Sequence, residues 1–314
     1  MKALVIGGAG FIGSHIVEQL EGMGADVRIY DDYSRGSFGD KDTSYGDICT
    51  PETLRKAMEG REIVFHLAAL WLLECYMHPA DAFRVNVEGA FNVLQACVDT
   101  GIKRLVYSSS ASVYGDRVQY MNENHPYNNQ TFYGATKIAG EHMLQAYHHR
   151  YGLNGVALRY MNVYGPRQDY RSTYTSVIMK TLDSIRQGVS PVVYGTGEQT
   201  YDFIYVTDVA RANICAAESD VDFGFYNVAT GIGTPIKTLI ELILHIKKSE
   251  LPIVYKNEDT PTFVKDRIGC PEKAKRDLGF QYEINLKEGL KKLIEWHDTI
   301  SETVDHGRDE ERGR

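Results

Sequence analysis

The chain has 314 residues, 43% of them apolar, enough for one large α/β unit or two modest domains around a buried core. Its formal net charge of −8 argues against non-specific nucleic-acid binding, which relies on Lys and Arg neutralising phosphates, while still allowing a local basic pocket for a small anion. No apolar run nears the roughly 20 residues of a membrane helix, and the five scattered cysteines (Cys49, Cys75, Cys97, Cys215, Cys270) fit neither a disulfide framework nor a zinc site.

The elements follow in chain order. Residues 3–6 read as a buried strand, 11–20 as a helix and 27–30 as a second strand, with later strands at 63–65 and 105–107. Long helical periods cover 80–99 and 132–151, and amphipathic helices are expected at 239–247 and 286–296. Strands that are apolar throughout, alternating with helices, mean a parallel sheet covered on both faces, a Rossmann-type doubly wound α/β fold. Beyond it, Pro166, Pro191, Pro235, Pro252, Pro261 and Pro271 punctuate shorter elements. The expected division is 1–165 for the first unit, 166–300 mainly for a smaller α/β domain with some chain returning to the sheet, and 301–314 as a charged flexible tail. Met1-Lys2 lead straight into a strand, leaving no room for a signal peptide, and with the unpaired cysteines this points to the cytoplasm.

Gly7-Gly8-Ala9-Gly10-Phe11-Ile12-Gly13 follows the first strand and opens a helix, with glycines spaced G-x-x-G-x-x-G. Such a turn lets backbone approach a pyrophosphate and aims the helix N-terminus at it. The flanking strand and helix turn a weak motif into a dinucleotide site. Asp31, with Asp32 beside it, ends the second strand, where a carboxylate accepts bonds from the adenosine ribose and repels a 2′-phosphate. NAD is therefore expected over NADP, although Arg35 pulls the other way.

Tyr133 and Lys137 stand four apart at the start of a helix and share a face. An ammonium beside a phenol favours the phenolate, and so lowers a pKa that is ordinarily near 10 toward that of a useful base. The run Ser108-Ser109-Ser110-Ala111-Ser112-Val113-Tyr114-Gly115 follows a strand and so lies at the carboxyl edge of the sheet, where open α/β folds bind ligands. Ser108, Ser109 and Ser112 read best as caps of the next turn. His148 and His149 are adjacent and His142 lacks a partner at ligand spacing, so no metal is expected.

These motifs resemble the extended short-chain dehydrogenase/reductase family, in particular its NAD-dependent nucleotide-sugar epimerases and dehydratases. The resemblance runs from Lys2 to about Trp296. It also takes in Gly46-Asp47-Ile48, His66-Leu67-Ala68-Ala69, Asn86-Val87-Glu88-Gly89, Arg159-Tyr160-Met161-Asn162-Val163-Tyr164-Gly165-Pro166 and Asp202-Phe203-Ile204-Tyr205-Val206-Thr207-Asp208-Val209. It implies that Asp47 and Ile48 flank adenine and that Leu67, Ala68 and Ala69 line the dinucleotide path. Ser110, Tyr133 and Lys137 would be catalytic, with Tyr133 and Lys137 also touching the cofactor. Asn162 would contact the diphosphate or sugar, and the last third would bind the nucleotide sugar. The helices at 80–99 and 132–151 correspond to those that pair in the family's homodimers.

Departures from the pattern narrow the chemistry. Ala111 and Ser112 stand where the 4,6-dehydratases carry Asp and Glu, and Ser112 where the UDP-glucuronate decarboxylases carry Glu. An epimerase needs neither carboxylate, so 4-epimerisation of a nucleotide sugar, most simply a UDP-hexose, is the expected reaction. Tyr201 replaces an arginine that helps hold phosphates, and Arg267 could supply that charge. Trp71 and Glu74 are unusual after the cofactor-lining alanines and are candidates for shaping the sugar pocket. A net oxidoreductase or another nucleotide-sugar modifier using Glu74 is the alternative. A non-catalytic dinucleotide sensor is disfavoured by the retention of Ser110, Tyr133 and Lys137.

Overall fold

The computed structural model describes residues 1–35, 38, 43–116, 120–168, 176–257 and 266–312, with side chains as far as residue 300, so Pro261 lies outside the described residues. The chain opens with β1 (Lys2–Ile6), α1 (Phe11–Gly22), β2 (Asp26–Asp31), β3 (Thr43–Tyr45), α2 (Pro51–Met58) and β4 (Ile63–His66). It continues through α3 (Leu72–Met77), α4 (Pro79–Phe83), a π-helical turn (Arg84–Glu88), α5 (Gly89–Thr100) and β5 (Arg104–Ser110). A 3-10 turn (Ala111–Tyr114) leads to α6 (Phe132–Tyr151) and β6 (Asn154–Tyr160). Then come β7 (Asn162–Tyr164), α7 (Val177–Arg186), β8 (Val192–Tyr194), β9 (Thr200–Tyr205), α8 (Val206–Glu218) and β10 (Phe223–Val228). The last elements are β11 (Gly233–Pro235), α9 (Ile236–Lys247), β12 (Val254–Lys256), β13 (Asp266–Arg267), α10 (Glu272–Leu278) and α11 (Leu286–Arg312).

Seven parallel strands form the main sheet in the order β10-β6-β5-β4-β1-β2-β3. Alternate residues of each strand face opposite layers. In β1, Ala3 and Val5 pack with Ile16 and Leu20 of α1 and Val209 of α8, while Leu4 and Ile6 pack with Leu54 of α2 and Val93 of α5. Ala3, Leu4, Val5 and Ile6 are fully buried, each contributing about 1.5–3 kcal/mol when large and aliphatic. A smaller mixed sheet centres on β9, which pairs antiparallel with β11 and parallel with β7 and β13. The strand order reverses between β1 and β4, so the carboxyl ends of these two strands frame a crevice.

Two expected elements come out differently. The helical period at 80–99 is broken by the π turn between α4 and α5. Within it Asn86 turns inward, its amide bonding both the N–H and the carbonyl of Leu70, and the next turn begins with Gly89 packed on Ile48. Such turns insert one residue into a helix and re-aim its side chains. At the C-terminus, α11 runs beyond the expected 286–296 to Arg312, so most of the segment expected as a tail is helical in backbone. Glu302, Arg308, Glu310 and Glu311 are good helix formers. Residues 313 and 314 lie outside the described residues.

A buried ion pair ties the sheet to the helix layer. Arg159 of β6 forks onto Glu141 of α6 at 2.8 and 2.7 Å, with both side chains almost wholly shielded from water. Ser109 of β5 and the Tyr127 hydroxyl donate to the same carboxylate at 2.6 and 2.7 Å. The other Arg159 nitrogen reaches the Tyr114 hydroxyl at 2.8 Å, which in turn donates to Asn227 of β10 at 2.7 Å. Removing one partner strands the other charge, so Glu141→Ala should lose about 3–5 kcal/mol. Urea unfolding checks this, and the double change Glu141→Leu with Arg159→Met should cost less than Glu141→Ala alone.

Candidate active site

The glycine loop is shaped by close approach. Gly7 sits at φ +81°, and a Cβ there would lie 2.7 Å from the Ala68 nitrogen, while one on Gly13 would collide with the Gly7 carbonyl oxygen. Gly10 meets nothing nearer than that same oxygen at 3.3 Å, so the space above it is open to a ligand. It caps α1 without any side-chain bond, which leaves the first-turn N–H groups available to an anion. Asp31 closes the loop's far side, accepting from the Ala9 and Tyr33 amides at 2.9 and 2.8 Å. Burial holds its carboxyl above the usual range. Asp32 is exposed and caps a turn through Ser34. Asp47 caps the turn at Cys49 and faces Arg84 at 3.7 Å, and Ile48 is buried against Gly89. Leu67 and Ala68 both donate to the Ile6 carbonyl, which brings the β4 loop against the glycine loop.

Tyr133 and Lys137 come together on the first turns of α6, which Thr131 caps through the Gly134 amide. The Lys137 amine donates to the Ser108 carbonyl at 2.7 Å and lies 5.6 Å from the Tyr133 ring centre. Burial lowers Lys137 to about 8. The expected lowering of Tyr133 is not found in the protein alone. Burial pushes the phenol up to about 12, and the groups that oppose it are the Ser110 hydrogen bond and the Arg267 charge. Desolvating a phenolate costs more than these two contacts return.

The serine run divides its labour differently from the sequence reading. Ser110, not its neighbours, caps the 3-10 turn, its Oγ accepting from the Ser112 amide at 3.1 Å. Ser112 Oγ lies 3.2 Å from Ser110 Oγ. Ser108 pairs with the Tyr160 hydroxyl at 2.9 Å, and Ser109 belongs to the Glu141 network.

Asn162 donates to the Asp202 carbonyl at 3.1 Å, which fixes it at the β7–β9 junction. Arg267 is the β-partner of Tyr201, and its Nε is buried without a hydrogen bond. Arg267, Ser112, Gly115 and Leu72 line a small pocket. It adjoins a cavity of about 320 Å³ bounded by Leu72, Tyr76, Asn129, Thr131, Phe132 and Ala135. Trp71 and Glu74 belong to the same short element as Leu72 and lie against Arg35.

Sequence reasoning missed several positioning residues. Asn86 also donates to Thr136 Oγ1 at 3.2 Å and Cys75 Sγ at 3.4 Å, so one amide joins the Leu70 segment to the residue before Lys137. His66 is buried, lowered to about 3 chiefly by burial, and its Nδ1 has no partner. Asp202 accepts from Thr230, Gly231 and Gly269, which makes it a hub of the small domain. The fully buried position of Asp202 has no period-based signature. His66, Asn86 and Asp202 each stand in a motif shared with the family, but the sequence does not reveal their partners. Among the described residues no cluster of His, Cys, Asp and Glu could hold a metal.

Since Lys137 has a lower value folded than its ordinary 10.5, the unfolded chain holds the extra proton between about pH 8 and 10.5. Stability should therefore rise with pH in that window. Tyr133 has the opposite sign, since its stabilising neutral form is lost as pH climbs from 10 to about 12. Urea unfolding on either side of pH 8 should show the wild type gaining on Lys137→Met as pH rises toward 10.

The model of the NAD dependent epimerase/dehydratase family matches residues 3–229. The putative UDP-glucose 4-epimerase of Methanocaldococcus jannaschii is 34% identical over 303 residues, covering 93% of this chain and 97% of that protein. The UDP-N-acetylglucosamine 4-epimerase of Methanobrevibacter ruminantium M1, solved with UDP-N-acetylmuramic acid, superposes with a TM-score of 0.89 at 34% identity, over 95% of this chain and 98% of that one. The Thermotoga maritima UDP-glucose 4-epimerase with UDP-glucose gives 0.90 at 32% identity, over 96% and 99%. With the glycine loop, the Tyr133–Lys137 pair and these matches in agreement, the chain belongs to the NAD dependent epimerase/dehydratase family and is an NAD-dependent, nucleotide-sugar-modifying enzyme.

Proposed function

We propose that the protein is a nucleotide-sugar 4-epimerase, acting on a UDP-hexose of the glucose/galactose type. The observation that carries this reading is the filling of the position beside the catalytic hydroxyl. Ala111 and Ser112 are both buried there, and Ser112 is committed to Ser110. The nearby buried carboxylates Glu141 and Asp202 are engaged by Arg159 and by Thr230 and Gly231, so neither is available to remove water or assist loss of carbon dioxide.

In this reading Tyr133 takes the proton from the C4 hydroxyl and Ser110 orients the reacting oxygen. NAD, when bound along Gly7 to Gly13, Asp31 and the Ala68–Ala69 path, supplies reversible hydride acceptance. Lys137 keeps positive charge beneath the phenol, and Arg267 adds a second cation from the β13 side. Asn162 and Arg267 hold the diphosphate end of the substrate. Return of the proton by Tyr133 after the sugar has turned would complete an inversion without net redox, provided the hydride that bound NAD accepted is also given back.

We further propose a homodimer through α5 and α6. Phe91 is 45% exposed and Tyr151 is 47% exposed, and both pack on Tyr147 of the same helix pair. Apolar rings left facing water on adjoining helices fit a second copy of this chain.

Purified protein should interconvert UDP-glucose and UDP-galactose, followed by separation of the products. The N-acetyl sugars and UDP-glucuronate complete the panel. Epimerisation of none of them would sink the assignment. Tyr133→Phe should lower kcat about 10²–10⁴-fold, the ordinary contribution of a positioned base, while NAD still binds.

A further inference from the structure

The crevice above the glycine loop has two banks, the segment after β2 and the segment after β4. In the sheet these strands are not neighbours, because β1 lies between them. A side chain linking the two banks therefore crosses over the mouth of the crevice. Arg35 makes that crossing. It follows Asp31 by four residues on the β2 bank, and its guanidinium stands 5.3 Å from the centre of the Trp71 ring on the β4 bank. The same guanidinium lies 3.5 Å from Glu74 Oε2. Trp71 caps α3 and Glu74 sits in its first turn, so both are held by one short element. That Glu74 oxygen is shut away from solvent and has no hydrogen bond, which leaves the arginine as its stabilising charge. Arg suits this place better than Lys, since its flat, weakly hydrated cation stacks on an indole while facing a carboxylate.

We infer that Arg35, Trp71 and Glu74 form a clasp over the dinucleotide groove that retains the cofactor and sets its rate of release. The inference rests on the family's use of NAD. A catalyst with no net redox change needs one cofactor molecule held from turnover to turnover, so slow release is a requirement of the proposed chemistry. It also gives Trp71 and Glu74 a role at the cofactor rather than at the sugar. The contact is about as strong as an exposed ion pair plus a cation–π contact, enough to slow release without blocking exchange.

The test is NADH release from the full-length protein, followed by fluorescence as excess NAD displaces it. Trp71→Ala and Glu74→Gln should each speed release about two- to fivefold. Arg35→Glu removes both contacts and should speed release more than either, and combining it with Glu74→Arg should recover the ion-pair part of that loss but not the part owed to the Trp71 ring. Added salt should speed release from the wild type but not from Glu74→Gln. Unchanged release in the single variants overturns the clasp and leaves the cofactor reading intact. Fast release that the reversed pair does not slow also overturns it, since a merely structural role would behave that way. Failure of the wild type to bind NADH at all overturns the cofactor reading together with the clasp.

Discussion

The forked contact between Arg159 and Glu141 is the constraint on which the rest of the site depends. Two charges are held nearly out of water, and each is accepted there only because every polar atom around them is engaged. The network draws on β5, β6, β10, α6 and the segment that carries Tyr114 and Tyr127. Ser109 is one of its members and Ser110 is the next residue, so the Ser110 hydroxyl is fixed by a neighbour anchored in the core. Glu141 lies one helical turn beyond Lys137, so the same pair sets the rotation of α6 about its axis. A tyrosine, a lysine and a serine from two elements meet because the ion pair beneath them allows one packing.

Much of the architecture was legible from pattern. The continuous apolar run at β1, the glycine turn and the helix beginning at Phe11 carry their own periodicities, and α6 spans the residues expected of it. What pattern does not encode is pairing over distance. Arg159 and Glu141 each look like an ordinary charged residue in sequence, and only the fold shows that they share one buried volume. The serines illustrate the same limit. Four hydroxyls in one run look alike, yet Ser108 faces Tyr160, Ser109 faces Glu141 and Ser110 caps a turn, because alternate residues of β5 point to opposite faces. The π turn was hidden for a related reason, since its cause is the long-range bond of Asn86 to Leu70 rather than any breaker within the helix.

The electrostatics of the pair at 133 and 137 also depend on what surrounds it. Spacing alone suggests that the lysine lowers the tyrosine. In the folded protein burial acts on both, raising the phenol and lowering the amine, so each is driven toward its neutral form. Charge that arrives with ligands is then felt strongly, because little water is present to screen it. At neutral pH the phenol is neutral, while an amine titrating near 8 stays mostly protonated, so the resting pair is a neutral tyrosine beside a positive lysine.

The place of β10 has a consequence for how the polypeptide must be made. Its residues come from far along the chain, yet they complete the main sheet beside β6 and supply Asn227 to the core network. Until residue 228 has emerged from the ribosome, β6 is an open edge with unpaired backbone groups and an apolar flank, a template for pairing with other chains. Fragments ending near residue 165 would thus carry the glycine loop, Tyr133 and Lys137 and still fail to remain single molecules. The nascent chain is exposed to association for the time needed to synthesise some sixty further residues at about 5–20 per second, a window of several seconds.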